Sequence, residues 1–158
     1  MCLVVSENKV NKADKEIICY KIMRIRIQED RTVIYETPLQ CEVVDKKIIS
    51  GKKPFIATIR EKQLKEKHII SKKSFCSLLE PGKREIDVGA IHSYHYEKEA
   101  LRDLKLFVKL WGLGKNESYA IFKCVIPKDT LYYVGEFGSK IISYASRQLV
   151  FKEELSVY

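Results

Sequence analysis

Two hydrophobic periods alternate along this chain, and together they predict short strands over most of its length and a single long helix. From residue 97 to 111 the apolar positions Ala100, Leu101, Leu104, Phe107, Val108 and Trp111 recur at spacings of three and four. That is one face of a 3.6-residue helix, expected over about 96–111. Glu97 and Glu99 suit the positive end of its dipole, Lys109 suits the other end, and Gly112 and Gly114 supply the stop. Lys98, Glu99, Arg102 and Asp103 are expected on the solvated side.

Elsewhere the period is two. In residues 17–27, Met23, Ile25 and Ile27 alternate with Arg24 and Arg26, which predicts a half-buried strand with its arginines in water. Residues 28–31 turn the chain and 32–35 return beside it, ended by Thr37-Pro38, because proline removes a ladder donor. Further strands are expected at 39–44, 55–59, 86–94 (broken by Gly89), 119–126, 131–135, 141–144 and 148–152. Residues 61–67 have only one apolar side chain, Leu64, and amount to a single exposed turn. At 127–130 the expectation is a turn with Pro127 in its second position. Seven Gly and four Pro do not cluster anywhere, so 1–158 reads as one domain. The fold class is α+β: an antiparallel, β-rich domain with one long amphipathic helix packed on a sheet.

Charge changes this picture in one place. Residues 45–84 hold twelve Lys or Arg against four Asp or Glu, which accounts for the whole formal charge of +8. The pairs Lys46-Lys47, Lys52-Lys53 and Lys72-Lys73 are expected at turns, forming a basic surface that would draw an anion. Lysine outnumbers arginine there ten to two, which favours loose attraction over bidentate recognition. Five cysteines, odd in number and widely spaced, form neither a disulfide framework nor a metal-ligand spacing. Cys19 and Cys124 lie in apolar runs and are expected as buried, reduced thiols. No secretory signal and no membrane-length apolar run is evident, so a cytoplasmic protein is expected, with no membrane partner, metal or cofactor.

The candidate chemistry centres on His92-Ser93-Tyr94-His95-Tyr96, just ahead of the helix. Free amides at a helix start favour an anion, and either histidine could work as acid or base near neutral pH. The ligand-binding set expected here is His92, Ser93, Tyr94 and His95, joined by Tyr133 and Tyr144. The plainer alternative is that Ser93 or His95 caps the helix and the tyrosines are core. Aromatics Tyr132, Tyr133, Phe137 and Tyr144, interleaved with Lys128, Lys140 and Arg147, could stack on nucleic-acid bases, although alternation lets only one of Tyr132 and Tyr133 join a given platform. A thiol–base pair of Cys76 with His68 or His92 is conceivable but lacks any motif to support it. No P-loop, dinucleotide fingerprint, nucleophile elbow or zinc-protease motif occurs.

Three stretches carry a resemblance: Cys19-Tyr20-Lys21; Gly89-Ala90-Ile91-His92-Ser93-Tyr94; and Lys123 through Gly135 followed by Tyr144-Ala145-Ser146. In that order they resemble small uncharacterised proteins of bacteria and their phages, a family without an established activity. The resemblance implies a compact, intracellular protein linked to phages or mobile elements, and leaves the basic middle as the divergent part. A second likeness, to ADP-ribosyltransferase-type folds, rests on His92, Tyr94 and Glu136, though that fold's Ser-Thr-Ser strand has no counterpart. The expected function is therefore non-enzymatic binding of an anionic, nucleotide-like ligand or a host protein. The alternatives are a small nucleotide-directed transferase or hydrolase using His92 and Glu136, and nonspecific nucleic-acid binding.

Overall fold

A computed structural model describes residues 3–5, 10–38, 41–57, 84–86, 90–137 and 141–158. Among them the longest strand is β3 (Ile17–Ile27), preceded by β1 (Leu3–Val5) and β2 (Asn11–Lys12). Then come β4 (Val33–Glu36), β5 (Val43–Val44), helix α1 (Lys46–Ile49), β6 (Phe55–Ile56), β7 (Arg84–Ile86) and β8 (Ile91–Tyr94). Helix α2 (Glu97–Trp111) follows, and β9 (Glu117–Ile126), β10 (Leu131–Phe137), β11 (Ile141–Ser146) and β12 (Gln148–Val157) complete the chain. The strands run β6-β12-β9-β3-β8-β11-β10-β1-β7, with β2 on β10, and β4 bridging β3 and β5. Every pairing is antiparallel. The α+β class read from the sequence is the one observed.

The sheet cannot be flat. Strands β11 and β12 lie four steps apart in it, about 19 Å at the usual strand spacing, yet only Arg147 separates them in the chain, a span of roughly 7 Å. The sheet therefore coils, and β11–β12 acts as one long strand bent at Arg147, serving both ends of the coil. The bend shows in the alternation: even positions Tyr144 and Ser146 point inward before it, odd positions Leu149 and Phe151 after it. Two further irregularities in β12, between Phe151 and Glu153 and between Glu154 and Ser156, add to the twist.

Coiling gives two cores. The inner one gathers Cys19, Met23, Ile25, Ile91, Ala120, Phe122, Cys124, Tyr144, Leu149 and Phe151, closed at one end by Phe55. The outer one lies under α2, where Ala100, Leu104 and Phe107 meet Ile22, Tyr94, Tyr119, Ile121 and Tyr133. Helix α2 ends where Gly112 takes φ +70° and its amide reaches back to the Val108 carbonyl. Gly51 has a different reason: at φ +76° a Cβ there would stand 2.5 Å from the Phe151 carbonyl oxygen, so only glycine lets the end of α1 lie against β12.

Several sequence expectations change. Met23 and Ile25 are buried as expected, but Ile27 is exposed, and the arginines opposite them are not simply in water. Arg24 reaches a carboxylate oxygen of Glu36 at 2.6 Å and Arg26 reaches the other, holding a carboxylate that is itself only 2% exposed. Asp103, expected on the solvated side of the helix, is buried and accepts a hydrogen bond from the Tyr94 hydroxyl at 3.0 Å. Lys46 and Lys47 sit in α1, capped by Asp45, rather than in a turn. Pro127 is the first residue of its turn, since the Thr130 amide bonds the Pro127 carbonyl, and Asp129 takes the left-handed position at φ +67°. The apolar start at 3–5, unassigned from sequence, is a strand between β10 and β7. The turn expected at 61–67 lies outside the described residues.

Burying Glu36 beneath two guanidiniums makes it the test of this half of β3. Glu36→Gln leaves two cations crowded together without a counter-charge and is expected to cost about 3 kcal/mol. Arg26→Gln removes a side chain 42% exposed and should cost under about 1 kcal/mol. Urea unfolding midpoints of the two variants check the ranking.

Candidate functional site

The residues expected to form one groove are divided by the sheet. Along β8, successive side chains go to opposite faces, so Ile91 and Ser93 point into the coil while His92 and Tyr94 point toward α2. Tyr94 is spent on Asp103, and burial pushes its hydroxyl well above the usual tyrosine range. Tyr133 is in the outer core beneath the helix. Neither Ser93 nor His95 caps α2: Tyr96 occupies that position with no side-chain hydrogen bond. Of the expected set, His95 and Tyr144 do meet, with Ser93 directly opposite Tyr144 in the β8–β11 ladder.

His95 and Tyr144 form the centre of an aromatic cluster. The Tyr144 hydroxyl is hydrogen-bonded to Nδ1 of His95. The Tyr96 ring stands edge-on to the imidazole at 4.2 Å, and Tyr132 stands edge-on to Tyr144 at 6.0 Å. Tyr132 rather than Tyr133 joins the platform, the choice that alternation had left open. Burial, followed by the nearby Cys19 thiol and the Tyr132 and Tyr96 phenols, pushes Tyr144 up to about 12. Tyr144 therefore stays a neutral phenol, and its hydrogen bond to Nδ1 leaves Nε2 as the imidazole nitrogen outside that bond. Tyr96 is exposed, and the Lys98 ammonium lies 5.4 Å from the centre of its ring.

Beneath this cluster lies a polar strip that sequence reading did not single out. Lys21 is buried among inner-face residues and donates to the His92 carbonyl oxygen at 2.8 Å. No carboxylate within ion-pair distance faces it among the described residues. Burial lowers its pKa to about 8, against smaller opposing contributions from Cys124, Cys19 and Glu42. Cys19 and Cys124 stand directly opposite one another on β3 and β9, both fully buried. Burial pushes Cys19 up to about 12 and Cys124 well above the usual thiol range. The signal was present in the alternation: Lys21 shares its face with Cys19, Met23 and Ile25, a lone cation on an otherwise inward row. The cluster thus has an exposed rim of Tyr96 and Lys98, a half-buried His95, and a buried floor containing one amine whose pKa is lowered to about 8.

The remaining expected residues do not join. Glu136 is exposed at the β10–β11 pairing with Ile142, on the face that alternates with Tyr132 and away from α2, whereas His92 lies on the helix side. Lys46, Lys47, Lys52 and Lys53 are exposed beside α1. Lys72, Lys73, His68 and Cys76 fall outside the described residues. Among the described residues no three His, Cys, Asp or Glu side chains converge as a metal site would require, and no helix is long and apolar enough to cross a membrane. Comparison of the chain with protein-family models, with curated proteins and with solved structures finds no match in any of the three.

Lys21 sets a pH dependence whose sign is fixed. Its folded pKa lies below the unfolded value near 10.5, so the stability linked to it is present above 10.5 and lost as pH falls through about 8. Lys21→Met removes this titration and leaves the thiols and tyrosines, which titrate in the opposite sense, common to both proteins. The stability of the wild type relative to the variant should rise by about 3 kcal/mol between pH 7 and 11, read from paired denaturant curves. In the folded protein, iodoacetamide should modify exposed Cys41 and spare Cys19 and Cys124 until denaturant is added, as peptide mass mapping will show.

Proposed function

We propose that the chain is a non-enzymatic binding protein, linked to phages or mobile elements, that holds an anionic, nucleotide-like ligand at the His95 cluster. The hydrogen-bonded His95–Tyr144 pair, with Tyr96 exposed beside it and Lys98 over the Tyr96 ring, carries this reading. A planar base can stack on the open ring of Tyr96, while the Lys98 ammonium supplies a cation for a phosphate and Nε2 of His95 a polar contact. Glu97 and Glu99 crowd the first turn of α2, so the anion belongs at the cluster and not on the helix amides. The exposed lysines 46, 47, 52 and 53 add a positive field that raises the local concentration of such a ligand. The phage link rests on the sequence resemblance alone. A transferase would need His92 and Glu136 to share a substrate, and their opposite faces favour binding without turnover.

Calorimetric titration with ATP, GTP, NAD and inorganic phosphate at low salt tests this reading. A nucleotide should bind with submillimolar affinity and phosphate more weakly. His95→Ala or Tyr96→Ala should weaken the nucleotide at least tenfold, about 1.4 kcal/mol, with His92→Ala unchanged. Absence of heat with every nucleotide, or indifference to His95→Ala, counts against it. Steeply salt-dependent binding of unrelated DNA and RNA would favour the nucleic-acid alternative instead.

A further inference from the structure

We propose that the outer flank of α2, with the loop that follows it, is a docking surface for an acidic amphipathic helix of a partner protein. This surface is separate from the His95 cluster and does not depend on it. The helix commits Ala100, Leu104 and Phe107 to the core. Leu106 and Leu110, four residues apart and so on one flank, stand away from that stripe and are 44% and 63% exposed. Trp111 lies over the Phe107 ring with centroids 4.9 Å apart yet remains 57% exposed, and Leu113 follows just past Gly112, also exposed. A single exposed leucine is ordinary, but the Leu106–Leu110 flank continues at the helix end into exposed Trp111 and Leu113, four large apolar side chains within eight residues, a density of the kind that marks an interaction site.

Charge selects the occupant. Along the helix, residues 104–111 carry Lys105 and Lys109 and no Asp or Glu, so the helical part of the patch is fringed by cations, the Glu117 carboxylate lying beyond Leu113 on the Gly114 amide. An acidic partner matches that fringe. Beyond Leu113 the surface opens at Gly114 into a crevice of about 630 Å³ whose other wall includes Ile27, Glu29 and Asp30. Those two carboxylates would repel a flat anionic bilayer, whereas a helix about 10 Å across can lie along Leu106, Leu110 and Leu113 with its acidic residues toward Lys105 and Lys109. A second copy of this chain fits poorly, because a two-fold contact centred on Leu106 and Leu110 brings the same lysines together.

Trp111 is the only tryptophan in the chain and stands in the patch, so its emission reports occupancy directly. The full chain is panned against a displayed library of helical peptides lacking tryptophan, and enriched peptides are titrated against Trp111 fluorescence. The expected peptides combine apolar residues at spacings of three and four with Asp or Glu, shift Trp111 emission to the blue and bind more weakly as salt rises. Leu110→Glu, and separately Lys105→Glu with Lys109→Glu, should each weaken them at least tenfold without lowering the thermal midpoint, while His95→Ala leaves them unchanged. No enrichment, enrichment without acidic residues, or binding indifferent to Leu110→Glu overturns the proposal. So does a Trp111 shift on phosphatidylglycerol vesicles but not on peptides, or a concentration-dependent dimer in sedimentation that Leu110→Glu abolishes.

Discussion

Ten consecutive residue pairs join β3 to β9, from Ile17 opposite Ile126 to Arg26 opposite Glu117, and much of both faces of that ladder is covered. Because side chains alternate with a period of two, slipping β3 by one residue along β9 would turn Cys19 and Met23 toward the helix and Ile22 into the coil. Everything else is arranged around that registration. The other side of β3 carries β8 at Tyr20 opposite Tyr94 and β4 at Arg24 opposite Glu36, so one strand positions both the aromatic cluster and the buried carboxylate. The same strand sends its single inward cation, Lys21, to the His92 carbonyl.

Polar groups inside the molecule fall into two kinds. The Glu36 carboxylate is matched by Arg24 and Arg26, and Asp103 by Tyr94, so these burials tie β4 to β3 and α2 to β8. Among the described residues Lys21 has one carbonyl for its three protons, and burial drives its pKa down to about 8. A strand core made only of hydrocarbon would be simpler. The buried amine below a histidine–tyrosine pair is the feature least explained by folding alone.

Much of the fold was legible because its signals are local. The 3.6-residue period of Ala100, Leu104 and Phe107 marked α2 to within a residue, Met23, Ile25 and Ile27 marked β3 by alternation, and β9 and β11 stood out as apolar runs between turns. What could not be read was pairing. Nothing in residues 92–96 says that α2 covers one face of β8 and the coil the other, yet that fact alone separates His92 and Tyr94 from Ser93 and His95. The same blindness put Tyr133 in place of Tyr132, since alternation within a strand tells which residues differ in face but not which face is which. Arg24 and Arg26 looked solvated because their partner, Glu36, lies on a different strand. Asp103 looked solvated because its partner, Tyr94, belongs to the sheet.

The bend at Arg147 has a mechanical side. Where a coiled sheet closes through hydrogen bonds, the seam can slide or open one rung at a time. Here a covalent splice of one residue spans it, with the Arg147 amide bonded to the Leu131 carbonyl on one flank and its carbonyl taken by the Ala57 amide on the other. One link around the coil is thereby a backbone bond, so β11 and β12 stay joined at Arg147 even where the hydrogen-bonded ladders beside them open. A pull applied to β12 is delivered along the main chain to Tyr144, three residues before the splice, and from its hydroxyl to the imidazole of His95.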